Sequence, residues 1–558
     1  MVSTHEDPKR RKVDLSPLNQ EVLTPTGREQ LREKFAGAKP FPHGVIAPIC
    51  EEEAFSAINE EMKEGLRCTF KESDLFKLYQ TQDLSGMQDD PQFKGLIQLR
   101  NAIYSETFRA FISEVAQCGP LTDRVDLAAS TYTDGCHLLC HDDVIGTRKI
   151  SFILYFSDNS EVWTKEDGGA LELYGQQPGA PEGVPEQIPS ASVLPTWNSM
   201  AFFTVQPGVS FHAVQEVFAV EKPRLSVQGW FHAAEPPAKA TLATLAQITA
   251  MATKVPDFSV NWSAPEVPLS AALSAEDKAF LSQWMDDQYL QQENLEAISA
   301  RFEQDSSVEL RSFLKESRAA PVAEAVRARD VKDGFGGTPP YPYDTGVGEG
   351  WKLSGVPHLG RNLNFEANGV TDAVGTQMTD IKTSLFETAA FGRWLKAATS
   401  LTCIGHRGEV RRFRPGLDYT VATHGQMTQG DSVLDCTWTM VYAGADDQSD
   451  EQALWDTGEV GGFEAYIGTD ESGESAQAAE VYRADDDDGP LVSIHAAPNN
   501  LSLVMRDQGT MRFVKYVSGR APGSRFDISQ VYSIEQPESS EEGEEDDEPE
   551  SEGEGAEQ

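Results

Sequence analysis

The chain has 558 residues, with 46 Lys and Arg against 89 Asp and Glu, a formal charge of −43. At ~100–200 residues per domain this length allows two to four domains, and 39% hydrophobic residues with 27 Phe and 9 Trp exclude disorder throughout. So acidic a molecule repels phosphates, which argues against direct nucleic-acid binding and suits a basic protein partner. No run approaches the ~20 consecutive apolar residues of a membrane span.

Residues 1–30 read as a disordered polar arm. Its cluster Lys9-Arg10-Arg11-Lys12 resembles a nuclear import signal, so the expected localisation is nucleus and cytoplasm. No apolar signal core is visible near the start, which predicts a protein that is not secreted. Seven scattered Cys with no CxxC knuckle fit a reducing compartment. Residues 31–235 begin with helical periodicity, as over Glu51–Leu66, where Phe55, Ile58 and Met62 share one face. From Ser130 the pattern changes to short strands: Lys149–Phe156, Ala170–Tyr174, Ser199–Val205, Val209–Val217 and Leu225–Phe231. Gly and Pro clusters separate them, the signature of a β-sandwich or jelly-roll barrel. Over 236–350 the helical period returns, and Ser274 with Asp277 predicts a capping box. That stretch reads as a helical connector ending in a turn-rich linker, Gly334–Gly350. Strand texture resumes over 351–536, and 537–558 is an acidic Ser/Gly/Pro tail expected to be disordered.

His141-Asp142-Asp143 carries the order His-x-Asp. In an extended segment residues i and i+2 point to one side, so His141 and Asp143 could share an ion. His212, on a separate predicted strand, could supply a third ligand. Two imidazoles and one carboxylate leave positions open, as in non-haem Fe(II) oxygenases. Twelve residues on, Arg224 could grip the far carboxylate of a dicarboxylate with its planar fork, with Ser226 adding a hydroxyl on the same face. Tyr155 could reach the same carboxylate, and Tyr132 could line the opening. A zinc pair of His137 and His141 needs a helix, but Gly135 and the strand texture predict a strand, on which they stand ~13 Å apart. Cys136 and Cys140 read as reduced thiols filling the loop, and His232 as a structural histidine.

The segments YTDGCHLLCHDDVIGTRKISFILY (132–155), GGALELY (168–174), WNSMAFFTVQPGVSFHAV (197–214) and RLSVQGWFH (224–232) together resemble the 2-oxoglutarate- and iron-dependent ribosomal prolyl hydroxylases of eukaryotes. That family includes the yeast termination-and-polyadenylation factor and the fission-yeast oxygen-dependent sterol regulator. The resemblance implies two tandem double-stranded β-helix domains with flanking helices, the second degenerate. It implies Fe(II) on His141, Asp143 and His212, and 2-oxoglutarate contacts at Tyr132, Tyr155 and Arg224. Dioxygen is then the other cosubstrate, and ascorbate a candidate auxiliary. The implied substrate is a prolyl residue of a small-subunit ribosomal protein, with effects on translation accuracy and termination. Translation-termination or transcription factors are further candidate partners. An alternative reading is an oxygen- or 2-oxoglutarate-sensing regulator that binds a nuclear partner and controls its degradation. His43 resembles the family's opening strand.

An internal repeat follows the same order. Gly168-Gly169 has a counterpart in Gly461-Gly462, and Asn198–Val214 overlays Asn499–Lys515, which places Phe513 at the position of His212. Arg525 then follows at the Arg224 spacing, and Gln426 stands for the acid of His-x-Asp. The second copy is therefore expected to bind no iron. Its basic run His406-Arg407, Arg411-Arg412 and Arg414 is expected to alternate with Val410 and Phe413 on a half-exposed strand or to pair with acids; contact with substrate or RNA is the other reading.

Overall fold

The computed structural model describes residues 17–87, 90–157, 162–237, 262–263, 271–367, 369, 372–422, 432–442, 450–468, 490–507 and 509–535. The basic cluster at 9–12, Gln426 and the acidic tail lie outside them.

Strands of the first half are β1 His43–Ile46, β2 Thr69–Glu72, β3 Phe76–Gln80, β4 Leu127–Tyr132, β5 His137–His141, β6 Arg148–Tyr155, β7 Leu171–Leu173, β8 Ala191–Val193, β9 Ser199–Thr204, β10 His212–Val214 and β11 Arg224–His232. They pair in the order β1-β9-β6-β11-β4-β3-β5-β10-β7-β8, with β2 on β3. β3 bonds β4 through Tyr79 and Gln80 and β5 through Phe76 and Lys77, so it turns the corner between two sheets of one curled barrel. Side-chain alternation explains why β6 and β9 are apolar throughout. Phe152, Leu154, Met200 and Phe202 face the helices Glu52–Gly65, Lys94–Ile103 and Glu106–Ala116, while Ile153, Tyr155, Ala201 and Phe203 face the barrel interior with Leu171 and Leu173. Both faces are covered, hence no polar alternation.

The second half supplies β12 Ser307–Leu310, β13 Trp351–Ser354, β14 Gly360–Phe365, β15 Cys403–Phe413, β16 Tyr419–Thr420, β17 Val433–Val441, β18 Glu464–Gly468, β19 Val492–Ile494, β20 Asn500–Arg506, β21 Thr510–Val514 and β22 Arg525–Ile534. Its sheets run β12-β20-β17-β22-β15-β14, with β13 and β16 on β14, and β19-β18-β21. Each strand occupies the place of the one eleven earlier in chain order, which establishes an internal duplication. Local geometry agrees. Asn198 and Asn499 both have positive φ, 52° and 48°, and each clasps one residue's backbone, Cys50 and Leu314 respectively, through its side-chain amide.

The stretch expected to be a connector divides differently. The helices Ala275–Leu281, Gln292–Asp305 and Glu316–Asp333 share one apolar core with Trp351, Trp394, Trp438, Leu503 and Phe526. The second repeat therefore opens near 275, with the predicted Ser274–Asp277 capping box at its first helix. The linker Gly334–Gly350 is anchored too: Tyr343 and Thr345 carbonyls accept from Arg414, and the Tyr343 hydroxyl donates to Glu172 of the first barrel.

Candidate metal centre

β10 runs antiparallel to β5 with His212 directly opposite His141, and the two rings lie 4.2 Å apart. Asp143 is brought in by a different device from the one the sequence suggests. β5 ends at His141, and Asp143 turns back at φ 60°, a left-handed conformation rather than an extended one. Its Oδ1 stands 3.3 Å from His141 Nε2 and its Oδ2 3.5 Å from His212 Nε2. Neighbouring ligands on an ion bound at ~2.1 Å stand ~3 Å apart, so these side chains need shift only slightly to hold one. The orientation of each imidazole is fixed from behind: Nδ1 of His141 and of His212 lies 2.8 Å from the carbonyls of Leu139 and Ser210. Each Nδ1 therefore carries a proton and donates it, which turns Nε2 toward Asp143: the protonated ring donates there to the carboxylate, and the neutral ring offers its Nε2 lone pair to an ion.

Asp143 is steadied by Trp230, whose Nε1 donates to Oδ2 at 3.0 Å. The Arg148 guanidinium stacks 3.6 Å over that indole and bridges toward Asp143 and Asp126. Burial opposes ionising Asp143, but the charge on His212 and the hydrogen bond from His141 outweigh it and hold the carboxyl well below its ordinary range. Burial likewise disfavours protonating His141; the Asp143 carboxylate reverses this and raises it.

Inside the barrel Arg224 is buried, with Nε donating to Gly169 O at 2.8 Å and Nη1 to Ser226 Oγ at 3.2 Å. Its guanidinium lies 4.8 Å over the Tyr132 ring and 5.0 Å over the Tyr155 ring. Among the described residues its Nη2 and the Tyr155 hydroxyl are buried without a partner. Two such donors side by side, against the apolar side chains of Ile153, Leu171, Leu173 and Phe203, are what a carboxylate end needs, and leaving them unmet costs stability. Ser226 accepts from Arg224 and so helps to fix its guanidinium. The Gly168-Gly169 pair is required by close approach: a Cβ on Gly168 would stand 2.0 Å from the Glu216 carbonyl, and one on Gly169 2.9 Å from Arg224 Cδ.

His137 lies on the same strand as His141 but packs against Tyr516 of the second barrel, and burial holds its pKa well below the ordinary value. His232 bonds Thr147 and lies 3.3 Å from Asp126. Cys136 and Cys140 are buried, with their thiols pushed up by burial. The roles of Trp230, Arg148 and Gly169 escaped the sequence reading, although Trp230 lies in the segment with Arg224 and the Gly-Gly pair, noted there as a repeat, marks a backbone pressed against a neighbour.

In the second barrel β18 pairs with β21 so that Tyr466 faces Arg512, just as Leu173 faces His212. Arg512, not Phe513, therefore stands where His212 does; the strand is offset by one residue from the overlay. Among the described residues no ladder joins β16 to β21, the counterpart of the β5–β10 ladder that aligns the two histidines. Arg525 repeats Arg224, donating to Gly462 O as Arg224 does to Gly169 O, but Asp527 replaces Ser226 and carries its own carboxylate. Glu464 binds both Arg512 and Arg525. The expected basic run is consumed by ion pairs: Arg411 with Asp527, Arg412 with Asp330 and Asp333, and Arg414 with Asp418. Arg407 stacks on Trp262.

Residues 127–232 match the 2OG-Fe(II) oxygenase superfamily, and 276–541 the family described as oxoglutarate and iron-dependent oxygenase degradation C-term. The chain is 36% identical over 504 residues to prolyl 3,4-dihydroxylase OGFOD1 of Ostreococcus tauri, covering 88% of this chain and 95% of that protein. It is 29% identical over 509 residues to prolyl 3-hydroxylase OGFOD1 of Xenopus laevis, covering 86% of this chain and 84% of the other. Among solved structures, a Pseudomonas putida prolyl-4-hydroxylase overlaps 37% of this chain and 98% of its own, at 19% identity and a TM-score of 0.28. The long alignment to the Ostreococcus protein settles the matter: the chain belongs to the OGFOD1 family of prolyl hydroxylases, oxygenases that use Fe(II) and consume 2-oxoglutarate and dioxygen.

Proposed function

We propose that this enzyme hydroxylates a prolyl residue of a small-subunit ribosomal protein, with Fe(II) held by His141, Asp143 and His212 and 2-oxoglutarate held at its far carboxylate by Arg224 and Tyr155. The observation that carries the site assignment is the convergence of two Nε2-facing imidazoles and a carboxylate beside two orphaned donors. The ribosomal substrate is supported by the kinship and by charge: a molecule at −43 attracts the basic segments typical of RNA-bound proteins.

The bound iron with 2-oxoglutarate supplies activated dioxygen and insertion of one oxygen atom into a C–H bond. This chain's own residues orient and enclose. Arg224 meets the carboxylate with a guanidinium already fixed by Gly169 and Ser226, so little freedom is lost on binding. Tyr132 supports that guanidinium through its ring face. Ile153, Leu171, Leu173 and Phe203 wall the interior and exclude water. Trp230 keeps one Asp143 oxygen occupied while the other remains available.

Small ribosomal subunits incubated with the protein, Fe(II), 2-oxoglutarate and ascorbate should yield a tryptic peptide heavier by one oxygen atom on proline, labelled when isotopic dioxygen is supplied. His212→Ala should give none; a product that survives this change would remove the site as assigned. The cluster Lys9–Lys12 supports a shared nuclear and cytoplasmic residence, tested by the distribution of a fluorescent fusion with those four residues replaced by alanine.

A further inference from the structure

The second barrel binds back against the strands that carry the metal ligands. Phe211, next to His212, stacks on His358 at 4.7 Å. Leu139, between His137 and His141, packs with Tyr419 and Tyr516. Lys515 is buried against the β2–β3 turn, donating to the carbonyls of Ser73 and Phe76. Glu216, four past His212, is tied across this interface as well. Among the described residues its carboxylate accepts only from the second barrel: from the Tyr516 hydroxyl at 3.2 Å, from the Gly519 N–H at 2.7 Å and from the Ser518 hydroxyl.

The backbone around Glu216 ties the whole site together. Its carbonyl accepts from Gly169 N, and Gly169 O is the acceptor that fixes Arg224. The next residue, Val217, donates to Cys136 O and accepts from Gly135 N at the entrance to β5, which ends at His141. One short segment is thus bonded toward both histidine strands and the arginine clamp, and its side chain is anchored outside its own domain. Burial lifts the Glu216 carboxyl to about 7 in spite of three donors. An apolar side chain would close the same interface at less cost, so what the carboxylate adds is a fixed direction.

We propose that Glu216 is a positioning residue through which the second barrel holds His212, His141 and Arg224 in place. This rests on the metal assignment above. The test uses the full chain and reads Mn(II) affinity from the resonance signal of free Mn(II), together with the 2-oxoglutarate KM and thermal stability. Glu216→Ala should weaken Mn(II) and raise the 2-oxoglutarate KM by about 10-fold each, the lower end for groups acting behind metal ligands. Gly519→Ala attacks from the other barrel, since its Cβ would stand 2.7 Å from the Phe218 ring, and should act in the same direction. Ser518→Ala removes one donor and little packing; a loss of about 3-fold is expected there, and it serves if the larger changes prevent folding. Asp277→Asn, which breaks the Arg393 ion pair away from this interface, should lower stability and leave both affinities unchanged.

The proposal is overturned if folded Glu216→Ala and Ser518→Ala keep both affinities within about twofold, or if Asp277→Asn reproduces the losses. Failure of the metal assignment looks different: His212→Ala would then bind Mn(II) as tightly as the parent.

Discussion

Tyr155→Phe isolates one of the two orphaned donors. The substitution removes only a hydroxyl that is buried, has no partner among the described residues and lies beside the Arg224 guanidinium. A hydrogen bond to a charged group contributes about 1.5–3 kcal/mol, so losing it from the bound 2-oxoglutarate should weaken that ligand about 10- to 150-fold. The ligand-free protein should respond in the opposite sense. Deleting an unmet polar group from an apolar cavity is neutral or stabilising, by up to about 1 kcal/mol. Turnover at saturating 2-oxoglutarate should change little, because the hydroxyl lies at the Arg224 end of the cosubstrate and not at the iron. Succinate formation against 2-oxoglutarate concentration gives the KM, and thermal unfolding without ligand gives the stability. An unchanged KM would refute the carboxylate assignment, and a large loss of stability would show that the hydroxyl has an internal partner.

Trp230→Phe keeps the ring under Arg148 but deletes the bond to Asp143, and should cost about 10- to 100-fold in Fe(II) or Mn(II) affinity, measured by metal titration. Asp527→Ala strips a carboxylate from Arg411 and Arg525 and should cost about 3–5 kcal/mol in urea unfolding, with formate restoring part of it. Glu464 gives a pH dependence. Burial would raise its carboxyl, but the charges of Arg512 and Arg525 win and hold it at about 2, below the ordinary 4.5. Its contribution is therefore present above about pH 4.5 and lost as the pH falls through about 2, roughly 3 kcal/mol in all. Urea midpoints between these pH values should fall more steeply for the parent than for Glu464→Gln; parallel curves would count against the ion pairs.

His141, Asp143, His212 and Arg224 were legible because residue type and spacing both constrain them, and the barrel because β6 and β9 are too apolar to be anything but covered on both faces. The means of convergence was not legible: the left-handed turn at Asp143 leaves no mark in an Asp-Asp pair, and the strand rule reached a sound grouping for an incomplete reason. The start of the second repeat near 275 was hidden because its helices reproduce the packing of the first repeat through different side chains. The Arg512 offset depends on a single residue in a turn near Gly509, where no pattern fixes register. Ion-pair partners are equally silent in a sequence. Arg411 and Asp527 are brought together by a ladder between strands far apart in the chain. Glu216 looked like any acidic residue in an acidic chain until the second barrel supplied its three donors.

In the second barrel the carboxylates of Glu464 and Asp527 already answer Arg525, the counterpart of Arg224. A pocket that takes its diacid from solution gains RT ln(1 + [L]/Kd) from it, so the first barrel tightens and loosens with cellular supply. In the second the carboxylates on Arg525 belong to the chain itself and are present at any ligand concentration. Set against the strands of the first, it gives a fluctuating partner a constant reference frame.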